Sequence, residues 1–281
     1  MPSPYRTLIT VPELQALRRD GGPLVLLDCG FDLGDPAAGA VAFARGHLPG
    51  AHHAHLDDDL SGAKTGRNGR HPLPARDALA ATVGRWGIAP DVQVVAYDAH
   101  GGVYASRAWW LLRWLGHDAT AVLDGGRQAW TAAGEALSTA TAAAANGPPY
   151  PAQPPAMLTI DADTLLARLG RVRLLDARSA ERFRGEVEPL DPVAGRIPGA
   201  TLRFFKDNLG ADGRFKTPAT LRAEFDALGD APHEIVHQCG SGVTACHNLL
   251  AMAFAGLEGS RLYVGSWSEW CADPARPVAR G

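Results

Sequence analysis

Residues 235–257 read IVHQCGSGVTACHNLLAMAFAGL, and this stretch decides the fold. Its first four residues suit a short buried strand, and Cys239 then opens a turn that contains two glycines. A helical pattern follows, because apolar residues recur at the spacing of one helix face: Val243, Cys246, Leu250, Ala253, Phe254 and Leu257. Strand, glycine turn and helix in this order are typical of a parallel sheet covered by helices.

The same order of landmarks occurs twice, so the chain contains a diverged tandem repeat. A buried-strand pattern ending in aspartate comes first, and a Gly-(His/Arg)-x-Pro-Gly-Ala motif follows it. A strand that runs into a glycine turn comes next, and a segment with glycine and tryptophan closes each half. These landmarks are residues 24–28, 46–51, 94–102 and 122–130 in the first half, and 172–176, 195–200, 235–242 and 263–270 in the second.

The repeat predicts an α/β fold with two tandem domains, each a parallel sheet flanked by helices on both faces. Residues 139–155 are rich in Ala, Thr and Pro and lack a hydrophobic period, so we interpret them as a linker. It separates an N-terminal domain, 1–138, from a C-terminal domain, 156–281. One helix is predicted over 218–228, with Thr217 as its cap and Pro218 at its first position.

Composition excludes several classes of function. The chain has 281 residues, 20% charged content and a net charge of -3, with no run of like charges, so we expect no nucleic-acid or membrane partner. There is no bilayer-length apolar stretch and no signal-peptide pattern over Met1 to Pro12. We expect a soluble cytoplasmic protein, a monomer or weak dimer, with small molecules or proteins as partners and no cofactor.

The two halves differ most where Asp98 in the first half corresponds to Cys239 in the second. A cysteine at the carboxyl end of a parallel strand, opening a helix, meets the conditions for a thiolate nucleophile. The amides of Gly240, Ser241, Gly242, Val243 and Thr244 can point at its sulfur, and the helix N-terminus adds partial positive charge. A cysteine can also be a small buried hydrophobe. The turn and the glycines favour the chemical interpretation.

The remaining cysteines give weaker signals. Cys246 lies on the predicted inner helix face, Cys29 follows a buried strand, and Cys271 is near the C-terminus. No spacing typical of zinc ligands or of a disulfide framework is present. Four histidines cluster at positions 47, 52, 53 and 55, but no second group with ligand spacing completes a site, so we predict no metal.

Taken together, the two Gly-(His/Arg)-x-Pro-Gly-Ala motifs, the loop CGSGVTA (239–245) and LDGG (123–126) resemble the tandem-domain rhodanese family of sulfurtransferases. The resemblance covers nearly the whole chain. It implies two rhodanese-like domains, of which the first is catalytically silent and the second supplies the cysteine. The uncharged loop resembles the 3-mercaptopyruvate sulfurtransferase branch, since thiosulfate sulfurtransferases usually carry a cationic loop that suits a dianion.

The resemblance also implies roles for individual residues. Arg182 would hold the substrate carboxylate, and Asp176 would support the loop. Ser241 would handle protons with two partners from the first domain, His71 and Asp57, although Asp58 and Asp59 adjoin the latter and leave its register open. The expected reaction passes sulfur from 3-mercaptopyruvate through a Cys239 persulfide to cyanide, a thiol or thioredoxin, and releases pyruvate.

One departure from the family pattern affects the donor. The mercaptopyruvate branch commonly has a second substrate arginine shortly after Arg182, whereas this chain has Leu190 at that position. Arg184 or Arg196 is a possible substitute.

Three other functions are alternatives to this one. Thiosulfate sulfurtransferase is the runner-up, and a non-enzymatic persulfide relay is a further alternative that needs an open Cys239. A Cys-dependent phosphatase needs Cys-x5-Arg, but the sixth residue after Cys239 is Ala245.

Overall fold

The computed structural model describes residues 3–143 and 145–281. Met1, Pro2 and Ala144, which belong to the predicted N-terminal domain and linker, lie outside the described residues. The chain divides into two compact units. Unit 1 contains the residues up to Ser61 together with Pro74–Ala156 and Ala211–Phe215. Unit 2 contains Gly62–Leu73, Met157–Gly210 and Lys216–Gly281.

Unit 1 is built on a five-stranded parallel sheet with the order β1-β5-β4-β2-β3. The strands are β1 (Leu8–Ile9), β2 (Leu24–Asp28), β3 (Ala51–His53), β4 (Gln93–Tyr97) and β5 (Thr120–Leu123). The helices are α1 (Val11–Asp20), α2 (Ala38–Arg45), α3 (Arg76–Arg85), α4 (Ala105–Leu115) and α5 (Gly126–Ala132).

Unit 2 repeats this topology, with the strand order β6-β10-β9-β7-β8 and parallel pairing throughout. Its strands are β6 (Leu158–Ile160), β7 (Arg173–Asp176), β8 (Thr201–Leu202), β9 (Ile235–Gln238) and β10 (Arg261–Tyr263). Its helices are α6 (Ala162–Ala167), α7 (Ala180–Arg184), α8 (Pro218–Asp226), α9 (Thr244–Phe254) and α10 (Ser266–Trp270). The predicted fold class and the tandem repeat are thereby confirmed.

The tryptophans that close each repeat are core residues of their units. Trp130 packs with strand and helix residues of unit 1, and Trp270 does so in unit 2. Each indole N–H also donates to a nearby carbonyl oxygen, Trp130 to Ala136 at 3.0 Å and Trp270 to Pro277 at 2.8 Å. The repeated Gly-Trp signature is therefore explained by packing, since a buried indole must satisfy its donor.

The helix predicted over 218–228 is observed as α8, and Thr217 caps it by accepting a hydrogen bond from the Thr220 amide. The sequence predicted that α9 buries one face only, but the structure buries a wider part of this helix. His247 and Asn248 are fully buried, whereas Phe254 is only half-buried. This difference arises because α9 contacts α8 and a 3-10 turn at Phe205–Asn208 in addition to β9. Burial by other elements cannot be read from helical period alone.

The unit boundaries differ from the predicted domain limits in three ways. Residues 211–215, which the prediction assigned to the C-terminal domain, are part of unit 1. The segment predicted as linker runs along unit 1, where the Tyr150 amide donates to Ala80 and the Gln153 amide donates to Leu115. Residues 62–73, which the prediction assigned to the N-terminal domain, are part of unit 2. There the Arg70 amide donates to Ser268 Oγ at 3.0 Å.

Gly242 fixes the turn between β9 and α9. Its φ of +79° lies in the left-handed region, and a Cβ added there would lie only 2.3 Å from the carbonyl oxygen of Val264. Both the backbone conformation and the close approach to the segment after β10 therefore require glycine. This constraint sets the course of the loop that begins at Cys239.

We predict that Gly242→Ala destabilises the protein by about 2 kcal/mol more than Gly199→Ala, because only the former must also displace backbone. Gly199 is a matched control, since its φ is +77° and an added Cβ would meet nothing within 4 Å. Urea denaturation followed by circular dichroism measures both free energies of unfolding. Equal losses would show that the approach to Val264 does not constrain the loop.

Candidate active site around Cys239

Cys239 is the first residue after β9, and hydrogen bonds hold it on three sides. Its Sγ accepts from the Gly242 amide at 3.1 Å, its own amide donates to Ser266 Oγ at 3.1 Å, and its carbonyl accepts from the Trp267 amide at 2.9 Å. The residue is only 2% exposed. α9 begins at Thr244, so its partially positive N-terminus lies at the end of the same loop. The Cys239 sulfur therefore lies at the start of a helix and accepts a hydrogen bond from one backbone amide of the loop.

The equivalent loop of unit 1 holds an acidic side chain among several backbone amides. The Asp98 carboxylate replaces the thiol there and accepts hydrogen bonds from four backbone amides. The donors, at 2.7 to 3.0 Å, are His100, Gly102, Tyr104 and Ala105. Asp98 is 1% exposed. In unit 1 a fixed carboxylate therefore occupies a cradle of amides, and in unit 2 Cys239 stands at the corresponding position.

Ser241 and His71 are brought together as the resemblance implies. The His71 Nδ1 lies 2.7 Å from Ser241 Oγ, and both residues are buried. The segment carrying His71 belongs to unit 2, where the Arg70 amide donates to Ser268 Oγ at 3.0 Å. The serine of the Cys239 loop and the histidine can therefore exchange a proton directly.

Asp57 lies in unit 1, half-buried in the turn after β3. Its neighbour Asp59 accepts a hydrogen bond from the His55 amide at 2.9 Å and faces Arg85 at 3.7 Å. The role of Asp57 stays a prediction.

Arg182 contributes a guanidinium group beside the Cys239 loop. A Cβ built on Gly240 would lie 3.3 Å from its Nη1. Its Nε and Nη2 donate to Glu188 at 3.2 and 2.6 Å, and Nη2 also lies 3.4 Å from Asp191. Arg182, which the resemblance implies as the residue that binds the substrate carboxylate, thus lies next to the loop. Its guanidinium group is held by the buried side chains of Glu188 and Asp191.

Arg70 was missed by the sequence analysis. Its Nη2 would lie 2.9 Å from a Cβ on Gly240, and its Nη1 donates to Asp191. The signal was available in the sequence, because Arg70 directly precedes His71 in the segment GRHPLP. That segment has no hydrophobic period, however, so nothing local indicates where its side chains point.

Asp176 makes the contacts that a loop-supporting role requires. It is fully buried and accepts hydrogen bonds from the amide, Nε and Nη2 of Arg178. Arg178 also lies over the ring of Trp267, 4.9 Å from its centre, and binds Glu188 at 3.3 Å. Burial opposes the charge of Arg178, but Asp176 and then Glu188 outweigh burial and raise the pKa of the guanidinium.

Arg184 and Arg196, the possible substitutes for a second arginine, are engaged elsewhere. Arg184 pairs with Glu186 at 2.7 Å, and Arg196 lies over the Phe183 ring and donates to the carbonyl of Gly281. Leu190 is 39% exposed. The side chain at the position where the resemblance implies a second arginine is therefore exposed.

The other three cysteines are also buried, but their surroundings differ from those of Cys239. Burial, followed by Asp98 and other acids, raises the pKa of Cys29 well above its usual range, and burial raises that of Cys271 to about 11. Cys246 is fully buried, and its thiol donates to the Gly242 carbonyl at 3.3 Å. These surroundings favour the protonated form of Cys29 and Cys271.

His47, His53 and His55 of the histidine cluster in unit 1 each have a ring nitrogen within hydrogen-bond distance of a backbone carbonyl. His47 Nδ1 lies 2.8 Å from Phe43 O, and His53 Nε2 lies 3.2 Å from Gly30 O. Within the described ranges there is no group of three or more side chains that could hold a metal ion.

We predict that Asp98→Ala lowers the free energy of unfolding by about 3 kcal/mol, since it leaves four buried amide donors without their acceptor. Asp98→Asn is the matched control, because its carbonyl oxygen keeps part of the acceptor capacity, and it should cost less. Urea denaturation measures both losses. An unchanged stability in Asp98→Ala would mean that the carboxylate does not stabilise the turn.

Comparisons with known proteins agree on the family to which this chain is similar. The model of the Rhodanese-like domain matches residues 10–133 and 161–273. A Pseudomonas aeruginosa protein named "Probable 3-mercaptopyruvate sulfurtransferase" is 52% identical over 280 residues, 98% of each chain. A Mycobacterium tuberculosis protein named "Putative thiosulfate sulfurtransferase SseB" is 42% identical over 284 residues, also 98% of each chain.

A solved structure agrees with these matches. The 3-mercaptopyruvate sulfurtransferase from Leishmania major superposes with a TM-score of 0.80 at 28% identity, covering 96% of this chain and 75% of that one. With the family model matched in both halves of the repeat, and relatives aligned over nearly its whole length, the chain belongs to the rhodanese family.

Proposed function

We propose that this protein is a sulfurtransferase that takes sulfur from 3-mercaptopyruvate as a persulfide on Cys239 and passes it to a thiophilic acceptor. The observation that carries the proposal is the anion-binding turn around Cys239, whose Gly242 amide donates to Sγ. A cradle that stabilises a thiolate also suits the terminal sulfur of a persulfide, which is likewise anionic. The relative that is 52% identical bears a name with this activity.

The first half-reaction is a displacement at sulfur. The Cys239 thiolate attacks the sulfur of 3-mercaptopyruvate, an S–S bond forms, and the C–S bond breaks with its electron pair going to the substrate carbon. The resulting enolate of pyruvate takes up a proton, and the former substrate thiol loses one. Ser241 and His71, 2.7 Å apart, are placed to carry that proton.

The second half-reaction restores the enzyme. A nucleophilic acceptor such as cyanide, a thiol or thioredoxin attacks the terminal sulfur of the persulfide, and Cys239 leaves as a thiolate. A reducing compartment suits this chemistry and the four free cysteines of the chain, so we place the protein in the cytoplasm. In the part of the chain that the structure describes, no helix is long and apolar enough to cross a membrane.

Charge balance at the site favours a monoanionic donor over thiosulfate. The three arginines around the loop are already paired with three buried carboxylates. The pairs involve Arg70, Arg178 and Arg182 on one side and Asp176, Glu188 and Asp191 on the other. A dianion such as thiosulfate gains most from uncompensated cations, whereas a keto acid brings one charge. Thiosulfate sulfurtransferase, the name of the 42% identical relative, is the alternative.

The burial of Cys239 favours an enzyme over a relay module. A relay that accepts persulfide from a partner protein needs a sulfur that another protein can reach, and Cys239 is 2% exposed. A small sulfur donor, in contrast, needs only a narrow opening to reach the Cys239 sulfur.

Cys239→Ser should abolish pyruvate release and the gain of about 32 Da that a persulfide adds, because an alcohol does not accept sulfur in this way. Cys271→Ala is the control, since that thiol is held protonated, and it should keep both signals. Intact-mass spectrometry and a pyruvate assay measure them. Turnover by Cys239→Ser would refute the assignment of the nucleophile.

Ser241→Ala should lower kcat with 3-mercaptopyruvate by about 100-fold and leave the rate with thiosulfate nearly unchanged. The reason is that an enolate must gain a proton at carbon, whereas sulfite leaves without one. Steady-state rates of wild type and variant with both donors test this. An equal loss with the two donors would show that the Ser241 hydroxyl supports the loop and does not relay a proton.

A further inference from the structure

A cavity of about 230 Å³ lies in unit 1 at the carboxyl ends of β2 and β4. Its walls include Asp28, the last residue of β2, and Asp98, which follows β4. The strand order reverses between these two strands, because the chain continues from β2 to β3 on one side and then to β4 on the other. Small ligands bind at such reversal points in open parallel sheets. The cavity therefore lies where the fold favours a ligand site.

The acid at the end of the second strand has different partners in the two repeats. In unit 2 the amide of Arg178 donates to Asp176 Oδ1 at 3.0 Å, and its Nη2 donates to the same carboxylate at 2.7 Å. In unit 1 the amide of Gly30 likewise donates to Asp28 Oδ1, at 2.9 Å. The backbone turn is thus repeated, but Gly30 supplies no guanidinium group. The space beside Asp28 is part of the cavity.

A guanidinium group from another element lines the same cavity without pairing with Asp28. Arg127, in α5, has its Nη1 turned to the carbonyl oxygen of Gly46 at 3.1 Å. This bond uses only one of the N–H donors of the group. In the part of the chain that the structure describes, neither Asp28 nor Arg127 takes part in an ion pair. Burial raises the pKa of Asp28, and its surroundings, which include His53 and Arg127, lower it by less.

The other acids on the walls are already bound by backbone amides. Asp98 accepts hydrogen bonds from four of them, and Asp32 Oδ1 accepts from two amides of its own loop. The cavity therefore holds one acid and one guanidinium group whose charges are not paired by the protein. The rest of the wall is largely apolar and includes Phe31, Ala38, Ala42 and Ala99.

We propose that this cavity binds an α-amino acid with a short apolar side chain. The ammonium group binds Asp28, the carboxylate binds Arg127, and the side chain packs against Phe31 and the alanines. A molecule with both charges suits two opposite charges that do not reach each other. A simple cation would be repelled by Arg127, and a simple anion by Asp28. The site lies wholly in unit 1, so the inference does not depend on the proposed function.

Three ligands of nearly the same shape test the two charges separately. L-valine has both, isobutylamine lacks the carboxylate, and 3-methylbutanoate lacks the ammonium group. Titration of isotope-labelled protein, followed by NMR of the Gly30 and His100 amides, should show saturable binding of L-valine. Each analogue should bind about 10- to 100-fold more weakly, because it loses one hydrogen bond between charged groups. No saturable shift with L-valine, or equal binding of either analogue, would overturn the proposal.

Gly30→Arg should abolish the binding of L-valine by building the arrangement of unit 2 into unit 1. The φ of Gly30 lies outside the left-handed region, and an added Cβ would lie 3.0 Å from Asp28 Oδ1, so the new side chain starts beside the carboxylate. Gly30→Ala is the matched control and should retain binding, since it adds only the Cβ. Circular dichroism checks that both variants fold. Binding that persists in a folded Gly30→Arg would contradict the assignment of the cavity.

Asp28→Asn tests the acid without filling the cavity. The amide keeps an oxygen that can accept from the Gly30 amide, but the negative charge is gone. The preference of the protein for L-valine over 3-methylbutanoate should therefore disappear, and a preference that remains would refute the role of Asp28. Cys239→Ser should bind L-valine as wild type does. Loss of binding in that variant would assign the ligand to the Cys239 loop and overturn the proposal.

Discussion

The site depends on the contact between Gly242 and the carbonyl of Val264. Because a side chain at 242 would lie 2.3 Å from that oxygen, the turn after β9 must follow one path, and on that path the Gly242 amide points at Sγ of Cys239. The strand order places β10 next to β9, so the segment that restricts the turn is an adjacent part of the sheet. The chemistry of the sulfur therefore depends on sheet topology as well as on local sequence.

The sequence was sufficient wherever the deciding interactions are local or repeated. β2 and β9 were recognised from apolar runs, α8 from Thr217 and Pro218, and the tandem organisation from landmarks that occur in the same order twice. The contrast of Asp98 with Cys239 needed only that repeat. In each case the interactions that form the element involve residues close together in the sequence, so the sequence pattern indicates them directly.

The sequence was insufficient where residues distant in the chain decide the outcome. Arg70 lies in a segment without hydrophobic period, and its place follows from Ser268, 198 residues away. Glu188 and Asp191 look like solvated charges in a loop, yet both are buried because arginines from two segments surround them. Polar residues carry no periodic signal, so their partners emerge only from the folded chain.

The Asp98 carboxylate gives the first repeat a property that its counterpart does not have. Cys239 changes its chemical state during each proposed cycle, so the contents of its cradle alternate between a thiolate and a longer, bulkier anion. Asp98 is covalently permanent and is bound by four amides throughout. The turn of unit 1 therefore keeps one ligand that is built into the chain, whereas the group bound in the turn of unit 2 would change in each proposed cycle.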